Sequence, residues 1–184
     1  MQKFDVTPLA LEGVLLIVPK RFSDARGYLV ETYRADLFRE ICEFVQDNQS
    51  FSSKKWTIRG IHFQRAPALQ AKLVRVVRGS AFDVAVDLRR HSRSYGRWCS
   101  ATLTASGAEQ LFVPRGFGHG FCTMEPNTEV AYKLDWYYTP ACDAGLFWND
   151  PDIGVAWPAN APQAILSEKD RALPKLAELG APFT

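Results

Sequence analysis

No stretch of the sequence stays apolar for the roughly 18 residues that a membrane-spanning helix needs, so no membrane partner is expected. Residues 1–13, MQKFDVTPLALEG, carry Asp5 and Glu12 and lack the apolar run of a secretory leader. A cytoplasmic protein is therefore expected. Charge of one sign is also missing: the formal net charge is only +2, too small to imply a nucleic-acid partner. Arg89, Arg90, Arg93 and Arg97 do cluster, but in DLRRHSRSYGRW they alternate with His91, serines and Gly96. That is the chemistry of a solvated turn, not of a basic stripe. Cys42, Cys99, Cys122 and Cys142 form no C-x-x-C pair, and nothing in their spacing points to zinc. They read as reduced thiols, mostly buried as small hydrophobes. Internal repeats, low-complexity tracts and linkers are absent too. Residues 1–184 are therefore expected to form one domain, long enough to bury its own core.

What the sequence does have is a succession of short β-prone runs separated by turn residues. In order they are GVLLIV (13–18), YLVETY (28–33), EFVQDNQS (43–50), WTIRGIHF (56–63), AKLVRVVRG (71–79), AFDVAVDL (81–88), WCSATLT (98–104), EQLFVP (109–114), HGFCTM (119–124) and TEVAYKLDWYY (128–138). Several connections are a few residues long and contain Gly or Ser, which favours antiparallel hairpins. ADLFREIC (35–42) is the one helix expected in the first half, with Leu37, Phe38 and Ile41 on a common face. SEKDRALPKLAEL (167–179) is expected to be a short helical segment interrupted by Pro174. The pattern points to an all-β barrel or jelly roll with small helical additions, whose interior can hold one small ligand.

Alternate residues of a strand share a face, so a polar residue on the apolar parity is informative. In AFDVAVDL, Phe82, Val84, Val86 and Leu88 are expected inward and Asp83 and Asp87 outward. Lys72 shares parity with Val74 and Val76. An ammonium there either meets an anion or oxyanion inside, or lies at the strand end and snorkels to water. Patterning alone does not choose. Tyr132 shares parity with Val130 and Leu134, while Glu129, Lys133 and Asp135 take the other. Its hydroxyl is thus expected inside the barrel, where a bond to some carbonyl is the plainer alternative to a chemical role. Asp170 ends Ser167-Glu168-Lys169-Asp170, an S-x-x-D helix-capping signature, so a cap competes with catalysis there.

Only three histidines are present. His119 lies in PRGFGHGF, whose P-x-G-x-x-H resembles the second conserved motif of cupins. Metal-binding cupins supply H-x-H and a downstream Glu in their first motif, where this sequence has His62-Phe63-Gln64. Two histidines without a third nitrogen or a well-placed carboxylate make a poor transition-metal site, so a metal-free barrel is expected.

FSDARGYLVETY, FVQDNQSFSSK, IRGIHFQ, QAKLVRVVRGSAFDVAVDLRRHS, QLFVPRGFGHGF, EVAYKLDWYYTP, WNDPDIGVAWP and ILSEKD follow one another over nearly the whole chain. Together they resemble the dTDP-4-dehydrorhamnose 3,5-epimerase family. The resemblance implies an all-β, cupin-type jelly-roll β-barrel with a few short helices. It also implies a cofactor-independent isomerase, a nucleotide-sugar substrate and a homodimer. By position it makes His62 the catalytic base, Asp170 its partner, Lys72 the group facing the ketone oxygen and Tyr132 the acid on the opposite face of the ring. His119 would line the site, Arg59 would meet the diphosphate and Tyr138 would stack on the nucleobase. Arg26, Glu31, Gln46 and Asn48 fall where the family contacts the nucleotide, partly across a dimer interface. A hydrophobic edge left by GVLLIV is the physical reason to expect that dimer.

These residue types suit the chemistry. A C–H beside a ketone is acidified because its carbanion delocalises into an enolate. A neutral imidazole, of ordinary pKa about 6.5, is a base near pH 7, and such proton transfer is typically worth about 10²–10⁴-fold. An aspartate fixes the ring tautomer, an ammonium meets the developing oxyanion, and a phenol of ordinary pKa about 10 stays protonated as the far-face donor. In one regular strand Arg59 and His62 would point to opposite faces. Gly60 is expected to mark a bulge or close approach that brings both toward the ligand. Gln49, Arg115, Gly118 and Leu29 replace the family's usual histidine, glutamate, alanine and aromatic, which leaves nucleotide preference and the number of inverted centres open. The alternatives are an epimerase of a single centre or of another nucleotide sugar, and a non-catalytic cupin-like sugar-nucleotide-binding protein. A metal-dependent cupin oxygenase is the most distant. His62→Ala or Tyr132→Phe would abolish turnover in the enzyme and change only affinity in a binding protein, and stoichiometric iron would mark the oxygenase.

Overall fold

The computed structural model describes residues 3–160, 162–180 and 183. In chain order its strands are β1 (Phe4–Pro8), β2 (Leu15–Pro19), β3 (Arg21–Asp24), β4 (Gly27–Val30), β5 (Gln46–Ser52), β6 (Ile58–Gln64), β7 (Lys72–Arg78), β8 (Ser80–Asp87), β9 (Trp98–Thr104), β10 (Gln110–Val113), β11 (Phe117–Thr123), β12 (Thr128–Leu134) and β13 (Asp143–Gly145). Single-turn helices α1 (Ala35–Phe38) and α2 (Glu168–Arg171) flank them. One sheet has the order β1-β2-β10-β7-β12-β5 and the other β13-β6-β11-β8-β9, while β3 and β4 pair alone as a hairpin. The two larger sheets face each other as a jelly-roll barrel. At Gly79 the chain passes from one sheet to the other with φ +78°, and an added methyl would stand 2.6 Å from the Thr128 hydroxyl.

Three apolar layers hold this arrangement together. Inside the barrel, Val74, Val76, Leu111 and Val130 of the first sheet meet Ala81, Ala85, Leu103, Phe117 and Phe121 of the second. Outside the second sheet, Val84, Val86, Leu88, Ile61 and Phe63 are covered by the C-terminal segment through Leu146, Ile153 and Leu179. Outside the first sheet, Ile17, Leu73 and Phe112 pack beneath Phe4 and Phe38.

Burial on both faces overturns the expected parity of β8. Ala81 and Ala85 belong to the barrel interior and Val84, Val86 and Leu88 to the outer layer, so Asp83 points inward with the alanines. Both Asp83 and Asp87 are fully buried. Asp87 accepts bonds from Arg89 Nε (2.9 Å), Ser92 Oγ (2.6 Å) and Ser94 Oγ (2.7 Å). Burial alone would raise its pKa, yet these donors hold it at about 2. The arginine-rich turn is thus built around a buried carboxylate, with Arg90, Arg93 and Arg97 left exposed.

Two other expectations change. The helix foreseen over 35–42 ends at Phe38, although the Ile41 and Cys42 amides still bond its carbonyl at 2.8 Å. Arg34 offers no side-chain cap and Leu37 is exposed. Such a short turn cannot sustain itself and rests on Phe38, whose ring meets Phe4 edge-on at 5.2 Å. The GVLLIV segment is not an edge: β2 lies between β1 and β10, and the free edges of that sheet are β1 and β5. The tail behaves as expected, with α2 and a single 3-10 turn, Leu176–Glu178, on either side of Pro174. No helix among the described residues is long and apolar enough to cross a membrane. All four cysteines are free thiols, with Cys99, Cys122 and Cys142 buried.

Candidate active site

The strand ladder between β6 and β11 pairs His62 with His119 but Arg59 with Phe121, so β6 carries one extra residue. Gly60 sits in that bulge at φ +121°, and a methyl there would lie 2.6 Å from Gly120 Cα. Only glycine combines this conformation with this approach. The bulge re-aims β6, and Arg59 and His62 line the same cavity, about 440 Å³ in volume. Lys72, His119, Tyr132 and Asp170 line it too. A second space of about 170 Å³ shares His62, Lys72, Tyr132 and Lys169 with the first and adds Asn48, Tyr138 and Asp143. The two form one elongated site.

His62 Nε2 lies 2.5 Å from Asp170 Oδ1. The S-x-x-D signature is used as well: Ser167 Oγ accepts from the Asp170 amide at 3.0 Å. The capping bond is made by the backbone amide of residue 170, so the carboxylate can hold His62 at the same time. Burial would raise the Asp170 pKa, but the His62 ring, Ser167 and Lys169 outweigh it and keep the carboxyl below its usual value. With Asp170 ionised, the shared proton rests on Nε2 and the lone pair of His62 on Nδ1.

Lys72 takes the buried alternative, with its Nζ donating to the His62 carbonyl at 3.2 Å. Burial lowers its pKa to about 8, with Asp83 and Asp143 pulling the other way. The ammonium therefore persists at pH 7. Beside it His119 Nε2 lies 2.8 Å from Asp83 Oδ1. Burial pushes the His119 pKa down against the pull of Asp83, so the ring is neutral. The other Asp83 oxygen is buried without a partner.

Tyr132 belongs to the sheet opposite His62. Acid and base candidates therefore face a common space from two walls. Arg59 is held at the mouth by Ser52 Oγ (3.2 Å) and the Phe51 carbonyl (2.9 Å). Tyr138 donates its hydroxyl to Asp143 Oδ2 at 3.2 Å. Gln46 reaches the site indirectly, through Asn48 (2.9 Å) and the Tyr138 amide (2.9 Å). Arg26 and Glu31 line neither cavity of their own chain. Arg26 pairs with Asp24 at 2.6 Å at the tip of the β3–β4 hairpin, and Glu31 accepts from Lys3 at 2.8 Å.

Asp83, Asp143 and Lys169 are among the residues that sequence reasoning missed. Lys169, ion-paired with Asp143, lines both spaces, and its place beside Asp170 in the SEKD motif was the available signal. The family departures lie elsewhere: Gln49 bonds Glu129 and Arg115 pairs with Asp135. At Gly118 an alanine methyl would stand 2.6 Å from Ile61 Cγ2. Among the described residues no group of three His, Cys, Asp or Glu is placed to hold a metal ion.

The family model for dTDP-4-dehydrorhamnose 3,5-epimerase matches residues 8–178. The enzyme of that name from Sinorhizobium fredii is 46% identical over 178 residues, 95% of this chain and 91% of the relative. The crystal structure of the Bacillus anthracis enzyme superposes with a TM-score of 0.89 at 42% identity, over 94% of this chain and 99% of that one. That of a dTDP-6-deoxy-D-glucose-3,5-epimerase from Legionella pneumophila, in complex with dTDP-4-keto-L-rhamnose, gives 0.91 at 35% identity, over 97% and 95%. With this coverage, and a site assembled from its own β6, β7, β11, β12 and α2, the chain belongs to the dTDP-4-dehydrorhamnose 3,5-epimerase family.

Proposed function

We propose that this protein inverts C3 and C5 of dTDP-4-keto-6-deoxyglucose, giving dTDP-4-dehydrorhamnose. His62 Nδ1 removes the proton from the carbon beside the ketone, and the C–H electron pair moves through the new C=C bond onto the C4 oxygen. The Lys72 ammonium meets that enolate oxygen where it forms, and electrostatic stabilisation of this kind is usually the largest contribution. Asp170 stabilises the imidazolium. Tyr132 delivers its hydroxyl proton to the opposite face, the ketone re-forms, and water re-equilibrates the tyrosinate and imidazolium. His119, neutral and buried, packs the floor beside Lys72. The chemistry asks for no electron acceptor and no Lewis acid. The observation that carries this reading is the placement of the His62–Asp170 pair and Tyr132 on opposite sheets around one cavity, with a buried ammonium between.

Arg59, which lines the larger space, is assigned to the diphosphate, and Tyr138 with Asn48, which line the smaller one and are braced by Gln46, to the nucleobase end. The same reading makes the protein a cytoplasmic homodimer of single-domain subunits spanning residues 1–184. In support, the β3–β4 hairpin pairs only with itself among the described residues and exposes Phe22, Tyr28 and Leu29. Seated on a partner, it would bring Arg26 and Glu31 to the nucleotide of the other subunit. Proton NMR of the substrate in deuterated water tests the reaction: both the C3 and C5 signals disappear with time. Exchange at one carbon only would replace this reading with a single-centre epimerase, and exchange at neither with a binding protein.

A further inference from the structure

Beyond Leu134 the chain leaves the sheet, and residues 136–139 have no strand partner among the described residues. Yet each has a backbone group bonded to a glutamine side chain. Gln70 Nε2 donates to the Trp136 carbonyl (2.8 Å), and Gln64 Nε2 reaches the Tyr137 carbonyl at a long 3.4 Å. The Tyr138 amide donates to Gln46 Oε1 (2.9 Å) and the Thr139 amide to Gln64 Oε1 (2.7 Å). Gln64 is buried and its amide nitrogen also donates to the Ala68 carbonyl at 3.0 Å. Its carboxamide makes two donations through Nε2 and one acceptance through Oε1, and so bridges the Tyr137 carbonyl and the Thr139 amide on either side of residue 138. A neutral imidazole has a single N–H and an ionised carboxylate none, so neither a histidine nor a carboxylate at position 64 would make all three bonds.

We propose that Gln64, assisted by Gln70 and Gln46, is a positioning residue that clasps the 136–139 strap and so presents Tyr138 to the nucleobase. Gln64 stands two residues from His62 on β6 and on the same face of the strand. It is also the register partner of Asp143, which accepts from the Tyr138 hydroxyl. One strand thereby carries both the histidine of the reacting end and the clasp of the nucleotide end, which fixes their separation. The position that supplies a metal ligand in metal-binding cupins is here committed to holding backbone. This inference rests on the reading of Tyr138 as the nucleobase-stacking residue given above.

The test is a double-mutant cycle on the binding of dTDP alone, read by calorimetry, with steady-state kinetics on the full substrate. Gln64→Leu is expected to weaken dTDP about tenfold, equivalent to roughly 1.4 kcal/mol, and to raise KM similarly with kcat within about threefold. Tyr138→Ala is expected to weaken dTDP at least as much, and the double variant to bind no worse than Tyr138→Ala. Gln70→Leu, which removes only the Trp136 bond, carries the same cycle with a smaller effect should Gln64→Leu fail to fold. Losses that simply add would overturn the clasp, as would unchanged dTDP affinity in Gln64→Leu and Gln70→Leu. Unchanged affinity in Tyr138→Ala would overturn the stacking role and the clasp together. Non-additive dTDP binding in a protein that exchanges no sugar proton would uphold the clasp and defeat only the epimerase reading.

Discussion

Removing the buried ammonium should make the protein more stable and inactive at once. A lysine whose pKa falls from 10.5 to about 8 on folding is charged at pH 7 in a place that disfavours charge. At about 1.4 kcal/mol per pKa unit, that depression costs the fold roughly 3 kcal/mol. Lys72→Met keeps the length and most of the volume of the side chain and removes the charge. It forfeits the bond to the His62 carbonyl, worth about 0.5–1.5 kcal/mol, so a net gain of about 1–3 kcal/mol is expected at pH 7. The penalty is complete below pH 8, where the lysine is charged in both states, and fades as pH rises toward 10.5. The stability gap between Lys72→Met and the parent should therefore narrow over that window. Urea unfolding at pH 7, 9 and 10 measures it. A variant that unfolds at lower urea than the parent at pH 7, or a gap that does not change with pH, would refute the reasoning.

Asp170→Asn should fold normally, because the cap bond to Ser167 is made by the backbone amide and survives the change, and lose about 10²–10⁴-fold in kcat as the imidazole loses its orienting charge. In the parent, kcat/KM should fall as pH rises through about 8, where free Lys72 gives up its proton. In Lys72→Arg any residual activity should lack that alkaline fall, and a fall at the same pH in both proteins would remove Lys72 as its cause. Gly60→Ala should destabilise by more than about 2 kcal/mol, since it adds a strained φ and a 2.6 Å contact with Gly120 Cα. A thermal melt within a degree of the parent would contradict that.

Most strand segments between β2 and β12, though not their order in the sheets, were legible from the turns between them, and the polar residues out of step on β7 and β12 from the inward face of those strands. Lys72 and Tyr132 stood out against Val74, Val76, Val130 and Leu134. β8 misled for the opposite reason: it is apolar on both parities because the C-terminal segment covers its outer face, and that cover lies some sixty residues downstream. Asp83 was hidden by the same cause. Asp143 and Lys169 enter the site from segments with too little regular structure to carry a period. Arg59 with His62 required a bulge, and there the glycine was the readable sign. β2 lost its apparent edge to β1, a five-residue strand ending in Pro8 that alternates over too short a run to announce itself and buries only Phe4. Asp170 was ambiguous because cap and dyad use different atoms of one residue, and a sequence motif cannot separate them.

The most direct test of a two-walled site is to remove the donor on one wall and keep the base on the other. With Tyr132→Phe in deuterated water, proton NMR should show the substrate C–H signals still exchanging while no inverted sugar accumulates, because His62 returns deuterium to the face it deprotonated. His62→Ala should show neither exchange nor inversion. Undiminished inversion in Tyr132→Phe, or exchange that survives the loss of His62, would contradict the division of roles between the two sheets.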